Sequence, residues 1–255
     1  MRVIKDVPYC EGNHPLQTLD LYLPDSEDFP TFVYFHGGGL EKGDKAKAAH
    51  VGVFLAEHGI AYATANYRMY PDAHYPDFVL DAASAVAWVN QHIAEYGGGR
   101  RIYVGGSSAG GYLSMMLCFD ASYLASHGLT PVDFAGFLHD AGQPTNHFRV
   151  LKERGIDPRR VIIDESAPLY HVGTADRYPP MRFIVSDDDM KNRYEQTLLM
   201  LGTLRHFGID ESAADMRLMH GRHCAYVRAS ESGDECPFGD MICDFVNGVE
   251  SGSLN

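Results

Sequence analysis

Short apolar runs alternate along this chain with longer segments in which apolar residues recur every three or four positions. The short runs, such as 60–65, are continuous rather than alternating, which is typical of parallel strands buried on both faces of a sheet. The longer segments have the spacing of helices that bury one face. This pattern predicts strands at 18–23, 31–35, 60–65, 101–105, 134–139, 181–186 and 215–219.

The clearest helix is predicted over 77–96, where Val79, Ala82 and Val86 fall on one face. The glycines at 97–99 are expected to end this helix. Strands and helices that follow one another in this way predict an α/β fold, with a mostly parallel central sheet flanked by helices. Further helices are predicted at 46–58, 109–119, 192–207 and 239–249.

Residues 140–180 have neither pattern, and they lie between two predicted strands. We expect this segment to cross the carboxyl edge of the sheet, where open α/β sheets bind their ligands, and to form a small cap over the site. The chain of 255 residues has the length of one large domain with a substantial core, so we expect residues 1–255 to form a single domain.

The charge of the chain narrows the range of its partners. A net charge of −13 disfavours nucleic acid as a partner, because its phosphates require a basic face, and it also disfavours binding to an anionic membrane surface.

The sequence also gives expectations about the cellular compartment. No apolar stretch approaches the ~20 residues that span a bilayer, and the opening residues MRVIKDVPYC lack the apolar core of a signal peptide. The five cysteines are an odd number without a CxxC pair, which predicts free thiols. We therefore expect a cytoplasmic protein that acts on a small molecule.

A serine lies where the chain is predicted to turn sharply from a strand into a helix. The motif GSSAG at 106–110 follows the apolar run 102–104 and precedes a helical pattern, which is the context of a nucleophile elbow. There the small flanking residues let the backbone pack closely while the serine side chain stands clear of the sheet. Ser108 is therefore the candidate nucleophile.

A glycine-rich loop earlier in the chain could supply the oxyanion hole that a serine nucleophile requires. HGGG at 36–39 follows an apolar run, and its glycines leave room for backbone N–H groups to approach a reacting oxygen. The N–H groups of this loop and of Ala109 are predicted to form an oxyanion hole. His36 is expected to brace the loop through hydrogen bonds rather than to transfer protons.

A serine nucleophile needs a histidine base and a carboxylate that orients the base, and on sheets of this kind they follow in the order serine, acid, histidine. The acid is expected after a late strand, where Asp187, Asp188 and Asp189 follow the predicted strand at 181–186. Asp189 lies furthest from the end of the strand and is the first choice. Asp187 is the second choice, and Asp188 stays open.

His220 and His223 follow the last predicted strand. His223 comes after the turn at Gly221 and is better placed to reach back to Ser108, so it is the candidate base, with His220 as the alternative. The spacing of His220, His223 and Cys224 would also suit metal ligands, but no second pair with ligand spacing accompanies them. We therefore expect no metal.

Several motifs together resemble one enzyme family. HGGG at 36–39, NYRMYP at 66–71 and GSSAGG at 106–111 are similar to those of carboxylesterases of the hormone-sensitive-lipase type and of their short bacterial acetyl-esterase relatives. The resemblance covers residues 30–120 and resumes from 181 to 226. It implies an α/β-hydrolase fold and hydrolysis of short-chain esters without a cofactor.

The resemblance also implies roles for individual residues. The G-x-x-D pattern of the family's late strand corresponds to the segment from Ser186 to Asp189 and supports Asp189 as the acid. Its G-x-H pattern supports His223 as the base. The family pattern assigns the nucleophile to Ser108 and the oxyanion donors to Gly38, Gly39 and Ala109.

The chain departs from the family pattern close to the candidate site. Ser107 stands where the family often has aspartate, Ser186 where it often has glycine, and Met190 where it often has proline. None of these departures removes a catalytic group, although the last two weaken the register of the acid.

The predicted chemistry is that of a serine carboxylesterase that cleaves short, acetyl-like esters through an acyl-enzyme. The stretch 140–148 resembles part of small Firmicutes-type esterases, some of which act on acetylated or feruloylated plant polysaccharides, and this suggests a carbohydrate ester. The alternatives are an arylformamidase or other amidase on the same scaffold, and a small-molecule-binding homologue that has lost catalysis. Gln143 and Tyr226 are the predicted substrate contacts, and an edge strand or the C-terminal helix offers a surface for a homodimer.

Overall fold

The centre of the molecule is an eight-stranded sheet. The computed structural model describes residues 1–229 and 235–254, so residues 230–234 and 255 of the predicted domain lie outside the described residues. The strands are β1 (Arg2–Pro8), β2 (Thr18–Leu23), β3 (Phe29–Phe35), β4 (Ala61–Ala65), β5 (Gly98–Ser107), β6 (Gly136–Asp140), β7 (Met181–Asp188) and β8 (Ala214–Arg222).

The strands lie in the order β1-β2-β4-β3-β5-β6-β7-β8. β2 pairs antiparallel with both β1 and β4, and every pair from β4 to β8 is parallel. The predicted mostly parallel sheet is thus confirmed. Because the carboxyl ends of parallel strands meet at one edge, the loops that follow β3, β5, β6, β7 and β8 come together there.

Helices cover both faces of this sheet. No helix in the described part of the chain is long and apolar enough to cross a membrane. The helices are α1 (Ala49–Glu57), α2 (Asp77–His92), α3 (Ala109–Phe119), α4 (Ser122–Ala125), α5 (Phe148–Glu153), α6 (Arg193–His206) and α7 (Pro237–Glu250).

The core consists of two apolar layers, one on each side of the sheet. Along β3, Phe32 and Tyr34 pack in a cluster with side chains of α1 and α7, whereas Val33 and Phe35 pack in a cluster with side chains of α2 and α3. Successive side chains of a strand point to opposite faces, so both sets are buried. This is why the run at the centre of the sheet is continuously apolar, as the sequence pattern predicts.

The first strand is a difference from the predicted elements. Every residue of β1 is exposed or half-buried, and the strand pairs with β2 at the edge of the sheet. An edge strand whose side chains face solvent has no apolar run, so the pattern that predicts the buried strands does not predict this one.

The glycine segment is a second difference. α2 ends at His92, and a 3₁₀ turn, Ile93–Tyr96, completes the predicted helix. Gly97 has a φ of 98°, in the left-handed region that favours glycine, and Gly98 already begins β5. A Cβ at Gly98 would lie 2.6 Å from the Ile93 side chain, so glycine lets the strand start directly against the turn.

The segment between β6 and β7 crosses the carboxyl edge of the sheet, and we call residues 141–180 the cap segment. It contains α5 and a 3₁₀ turn, Pro168–His171. The Tyr112 hydroxyl on α3 donates a hydrogen bond of 2.8 Å to the carbonyl oxygen of Ser166 and holds the segment against the sheet. A Cβ at Gly39 would lie 3.1 Å from the Phe148 ring, so the start of α5 closes on the HGGG loop.

Candidate active site

The turn between β5 and α3 holds Ser108 in an unusual backbone conformation. Its φ is 57° and its ψ is −111°, outside the regions that an L residue normally adopts. The Ser108 N–H donates to the carbonyl oxygen of Asp140 at 2.7 Å, and its carbonyl oxygen accepts from the Tyr112 N–H at 3.0 Å. These two backbone hydrogen bonds hold the strained turn in place.

The glycines on either side of the serine are required by close packing. A Cβ at Gly110 would lie 1.9 Å from the carbonyl oxygen of Phe35, and a Cβ at Gly106 would lie 2.5 Å from the carbonyl carbon of Gly110. Any side chain at these positions would push α3 away from β3. The GSSAG motif is therefore explained by backbone contact as well as by chemistry.

The histidine from the end of β8 reaches Ser108. His223 Nε2 lies 2.8 Å from Ser108 Oγ, and His223 Nδ1 lies 2.5 Å from Asp189 Oδ1. The loop around this histidine turns tightly, since Gly221 before it has a φ of 112° and Cys224 directly after it has a φ of 51°. The serine, imidazole and carboxylate thus form one continuous hydrogen-bonded chain in the order that a nucleophile, a base and an orienting acid require.

The carboxylate of Asp189 is buried and fully engaged. Its side chain is 1% exposed, against 23% for that of His223. Its oxygens also accept from the backbone N–H groups of Met190 at 2.7 Å and Ser186 at 3.2 Å. Burial by itself would raise the pKa of Asp189. The hydrogen bond from His223, the positive charge on the His223 ring and the two backbone N–H groups outweigh burial and hold the pKa of Asp189 below its usual value. The acid is therefore a carboxylate.

A second Asp–His pair lies beside the first. Asp187 Oδ2 lies 2.6 Å from His220 Nδ1, and the Gly221 N–H donates to Asp187 Oδ1 at 2.8 Å. The Asp187 and His220 side chains are 45% and 91% exposed, so this pair faces solvent. Asp188 is exposed at the end of β7, where it lies opposite Arg222 in the register of the neighbouring strand β8. Of the alternatives that the sequence leaves open, the structure brings only Asp189 and His223 together with Ser108.

The HGGG loop runs directly beside the elbow. A Cβ at Gly37 would lie 3.0 Å from the carbonyl oxygen of Ser107 and 3.2 Å from Ser108 Cβ, so a side chain here would crowd the elbow. Gly38 and Gly39 have φ values of 132° and 69°, which also favour glycine. Within residues 1–229 and 235–254, the N–H groups of these two glycines donate to no backbone or side-chain acceptor. Together with the Ala109 N–H at the start of α3, they are candidate oxyanion donors.

His36 supports this loop. Its Nδ1 lies 2.9 Å from the Gly37 carbonyl oxygen, and its ring stacks on Tyr67 with 4.5 Å between centroids. The Tyr67 hydroxyl donates to the His36 carbonyl oxygen at 2.8 Å. Burial lowers the pKa of His36, which favours the neutral ring. These contacts agree with a bracing residue.

A cavity of about 730 Å³ opens over Ser108 and His223. The HGGG loop lies on one side of it, and Phe148 of the cap segment and Met190 lie on another. A cavity of this size holds a small ester. The candidate nucleophile, the candidate base and two of the candidate oxyanion donors, Gly38 and Gly39, line the same space.

The two predicted substrate contacts have protein partners. The Gln143 amide donates to the Asn146 carbonyl oxygen at 2.9 Å and accepts from the Phe148 N–H at 3.2 Å. The Tyr226 hydroxyl donates to Asp140 Oδ1 at 2.5 Å. Gln143 thus fixes the start of α5, and Tyr226 ties the histidine loop to β6. Their polar groups position the site rather than extend into the main cavity.

Asp140, at the end of β6, is a residue of the site that the sequence motifs do not single out. Its side chain is fully buried, Oδ2 has no hydrogen-bond partner among the described residues, and burial raises its pKa to about 6. Its carbonyl oxygen holds the Ser108 N–H, and its carboxyl group holds Tyr226. An acidic residue directly after a buried strand, at the edge where ligands bind, is the signal that points to it.

Cys224 lies beside the candidate base, His223. Its Sγ is 3.7 Å from His223 Nε2, but burial raises the pKa of the thiol, which stays protonated. A protonated thiol is a poor nucleophile. No cluster of three or more His, Cys, Asp and Glu side chains in the described ranges could hold a metal ion.

Sequence comparison connects the first half of the chain to ester hydrolases. Residues 19–127 match the family model described as BD-FAE. The probable isoprenylcysteine alpha-carbonyl methylesterase ICMEL2 of Arabidopsis thaliana is 38% identical over 120 residues, which are 46% of this chain and 28% of that protein. The probable carboxylic ester hydrolase LipM of Mycobacterium tuberculosis is 40% identical over 114 residues, 42% of this chain and 26% of that protein. The chain thus matches less than a third of each relative's length.

Solved structures cover nearly the whole chain. Esterase B from Lactobacillus rhamnosis superposes with a TM-score of 0.78 at 21% identity, covering 98% of this chain and 87% of that one. Esterase 2 of Thermogutta terrifontis, phosphonylated by sarin, also has a TM-score of 0.78 at 21% identity, covering 99% and 96%. The chain therefore has the α/β-hydrolase fold, as the sequence resemblance implies.

Proposed function

We propose that this chain is a serine carboxylesterase that hydrolyses short-chain esters through an acyl-enzyme. The observation that carries the proposal is the 2.8 Å contact between His223 Nε2 and Ser108 Oγ, with Asp189 behind the histidine. The similarity to proteins named as carboxylic ester hydrolase and methylesterase supports the same reaction class.

The reaction begins with the transfer of the Ser108 hydroxyl proton to His223 Nε2 as Oγ attacks the ester carbonyl carbon. The carbonyl oxygen becomes an oxyanion, which accepts hydrogen bonds from the N–H groups of Gly38, Gly39 and Ala109. Each such donor typically lowers the barrier by about 3 kcal/mol. Since these groups are already held by the loop and by α3, they need no reorganisation when the charge develops.

His223 then returns its proton to the leaving alcohol, and the acyl group stays on Ser108. Water attacks the acyl-enzyme with His223 again as the base, which releases the acid and restores the serine. Asp189 stays ionised throughout and stabilises the imidazolium. Its low pKa suits this role.

The acyl group is proposed to be small, from acetyl to butyryl. The cavity of about 730 Å³ is closed on one side by Phe148, which packs against the HGGG loop. Of the carbohydrate esters suggested by the resemblance at 140–148, the acetylated ones fit this limit, because a feruloyl group is much larger than butyryl.

The test is hydrolysis of p-nitrophenyl acetate by the wild type and by Ser108→Ala. We expect the variant to lose about 10⁴-fold or more in kcat/KM while it keeps the wild-type circular dichroism spectrum. Ser84→Ala on α2, whose hydroxyl bonds within its own helix, is the matched control and should keep full activity. Full turnover by Ser108→Ala would remove this serine from the mechanism.

Two further measurements separate the alternatives. A fluorophosphonate should label the wild type on Ser108, whereas a homologue that only binds small molecules would not be labelled. Side-by-side rates on aryl acetates and on formylkynurenine distinguish an esterase from an arylformamidase, and we expect the esters to react faster.

A further inference from the structure

A second cavity, of about 420 Å³, adjoins the one over Ser108. Phe148 and Met190 line both cavities, so the second space lies within a side chain's width of the first. The second cavity lies between the cap segment and the first turn of α6. The proposed mechanism does not use it.

Four of the residues that line the second cavity are cationic: Arg159, Arg160, Lys191 and Arg193. Arg160 and Lys191 are exposed, and neither has an ion-pair partner in the part of the chain that the structure describes. Arg193 is 4% exposed and donates from Nη1 to the carbonyl oxygen of Ala141 rather than to a carboxylate. Among the described residues, no aspartate or glutamate side chain lines this cavity.

Arg159, on the same rim, provides a comparison. Its guanidinium makes a two-pronged contact with Asp157, with the shortest N–O distance at 2.5 Å, so its charge is already matched. The charges of Arg160, Lys191 and Arg193 are not matched in this way. The cavity therefore holds cationic groups that are available to a bound molecule.

A cluster of positive charge is unexpected in a chain whose overall composition is acidic. The chain has 34 acidic against 21 basic residues and a net charge of −13. The first turn of α6 faces the same space and adds the positive end of a helix dipole. A cleft lined by one sign of charge raises the local concentration of a ligand of the other sign.

Arg193 is the strongest single indication. A buried charge is costly unless it is paired. Burial lowers the pKa of Arg193 to about 10, and the nearby charges of Asp189 and Asp140 offset this only in part. The group is therefore protonated at neutral pH, and a negative group in the adjoining cavity would stabilise it.

We propose that the second cavity binds an anionic group of the substrate, such as a carboxylate, so that the enzyme prefers esters that carry a negative charge away from the scissile bond. This inference rests on the proposed esterase function and names the substrate class of the same site. The Arg160 and Arg193 guanidinium groups suit two-pronged binding of such an anion, and Lys191 adds a point charge.

The test uses two matched pairs of esters, which separate the acyl side from the alcohol side. The acyl pair is mono(4-nitrophenyl) adipate and its neutral adipamide analogue. The alcohol pair is 4-carboxyphenyl acetate and 4-carbamoylphenyl acetate. In one of the pairs we expect the anionic member to have a kcat/KM at least about tenfold higher, through a lower KM, which corresponds to ~1.4 kcal/mol. Added salt should reduce this preference.

The double variant Arg160→Gln/Lys191→Gln should reduce the preference for the anionic ester about tenfold. The matched control is Arg100→Gln/Arg205→Gln, which removes two exposed arginines away from both cavities and should leave the preference unchanged. The ratio between members of a pair is the readout, so a general change in activity does not affect it.

The inference is overturned if neither pair shows a preference for its anionic member, or if the Arg160→Gln/Lys191→Gln variant keeps the wild-type ratio. In both cases the neutral esters are still hydrolysed and the fluorophosphonate still labels Ser108, so the proposed function stands. If no ester is hydrolysed and Ser108 is not labelled, the proposed function itself fails.

Discussion

Two Asp–His pairs lie side by side where β7 and β8 end, and they are nearly identical as hydrogen bonds. The Nδ1–carboxylate distance is 2.5 Å in the pair Asp189–His223 and 2.6 Å in the pair Asp187–His220. They differ in exposure: the histidine is 23% exposed in the first pair and 91% in the second. Only the first histidine also contacts a serine hydroxyl.

The proposed catalytic pair differs from its neighbour in burial and in its contact with Ser108 rather than in the length of its hydrogen bond. At the surface, two charges are screened by water and salt, and such a pair contributes little. Around Asp189, burial removes that screening, and two backbone N–H groups fix the orientation of the carboxylate. A stable imidazolium aimed at Ser108 needs both the low dielectric and the fixed geometry.

The largest expected difference between the pairs comes from the histidines. His223→Ala should lower kcat/KM for p-nitrophenyl acetate about 10⁴-fold, because it removes the base for both steps. His220→Ala should stay within about twofold of the wild type, as expected for an exposed side chain away from the serine. Steady-state kinetics on both variants measures this, and a large loss in His220→Ala would reverse the assignment of the base.

Substituting the two aspartates should give the next largest difference in activity between the pairs. Asp189→Asn keeps the shape of the side chain but removes the charge and favours the wrong imidazole tautomer, so a loss of about 10³- to 10⁴-fold in kcat is expected. Asp187→Asn should change kcat less than threefold, because its pair is exposed. Equal losses in the two variants, measured under substrate saturation, would show that both pairs serve the reaction.

A third carboxylate, Asp140, adds to the comparison because it is fully buried and makes no ion pair within 4.0 Å among the described residues. Its pKa is raised to about 6, so the folded protein binds a proton there more tightly than the unfolded chain. As pH rises from about 4 to 7, this group therefore lowers the free energy of unfolding, by up to ~3 kcal/mol. Asp140→Asn should lack this loss and gain stability relative to the wild type across that window. Urea unfolding of both proteins at pH 4.5 and 7.5 checks it; a constant difference would contradict it.

The smallest expected effect is that of Tyr226→Phe. The variant removes the donor to Asp140 and leaves that buried carboxyl group without this hydrogen bond, which should lower the free energy of unfolding by about 1–2 kcal/mol. Since Tyr226 also ties the histidine loop to β6, we expect kcat to fall several-fold with little change in KM. Tyr170→Phe, at an exposed tyrosine, is the control. An unchanged kcat would limit Tyr226 to a structural role.

Much of the fold was predictable because its signals are local. The continuous apolar runs predict the buried strands, and α3 has the bounds that the sequence predicts, 109–119. The elements that the sequence pattern missed lie where neighbouring residues along the chain do not show which conformation the segment adopts. β1 is exposed at the sheet edge, and Gly98 belongs to a strand because of how closely it packs on Ile93.

The candidate site also has parts that the sequence predicts and parts that it does not. The motifs at 36–39 and 106–110 are enough to predict the loop and the elbow, because tight turns demand glycine. The sequence could not choose among Asp187, Asp188 and Asp189, because the choice depends on where β7 ends. The strand continues to Asp188, and only the turn after it directs the next carboxylate under the histidine.

The sequence by itself determined the α/β architecture and the glycine loop, because these follow from local patterns of neighbouring residues, and it determined the order of serine, acid and histidine, because that order can be read along the chain. Only the tertiary structure decided that His223 meets Ser108 across 115 positions, that Asp140 is buried beneath them, and that the cations around Arg193 share one cavity. These contacts depend on the ends and packing of separate strands. A distance between residues far apart in the chain is set by the whole sheet, and no local pattern contains it.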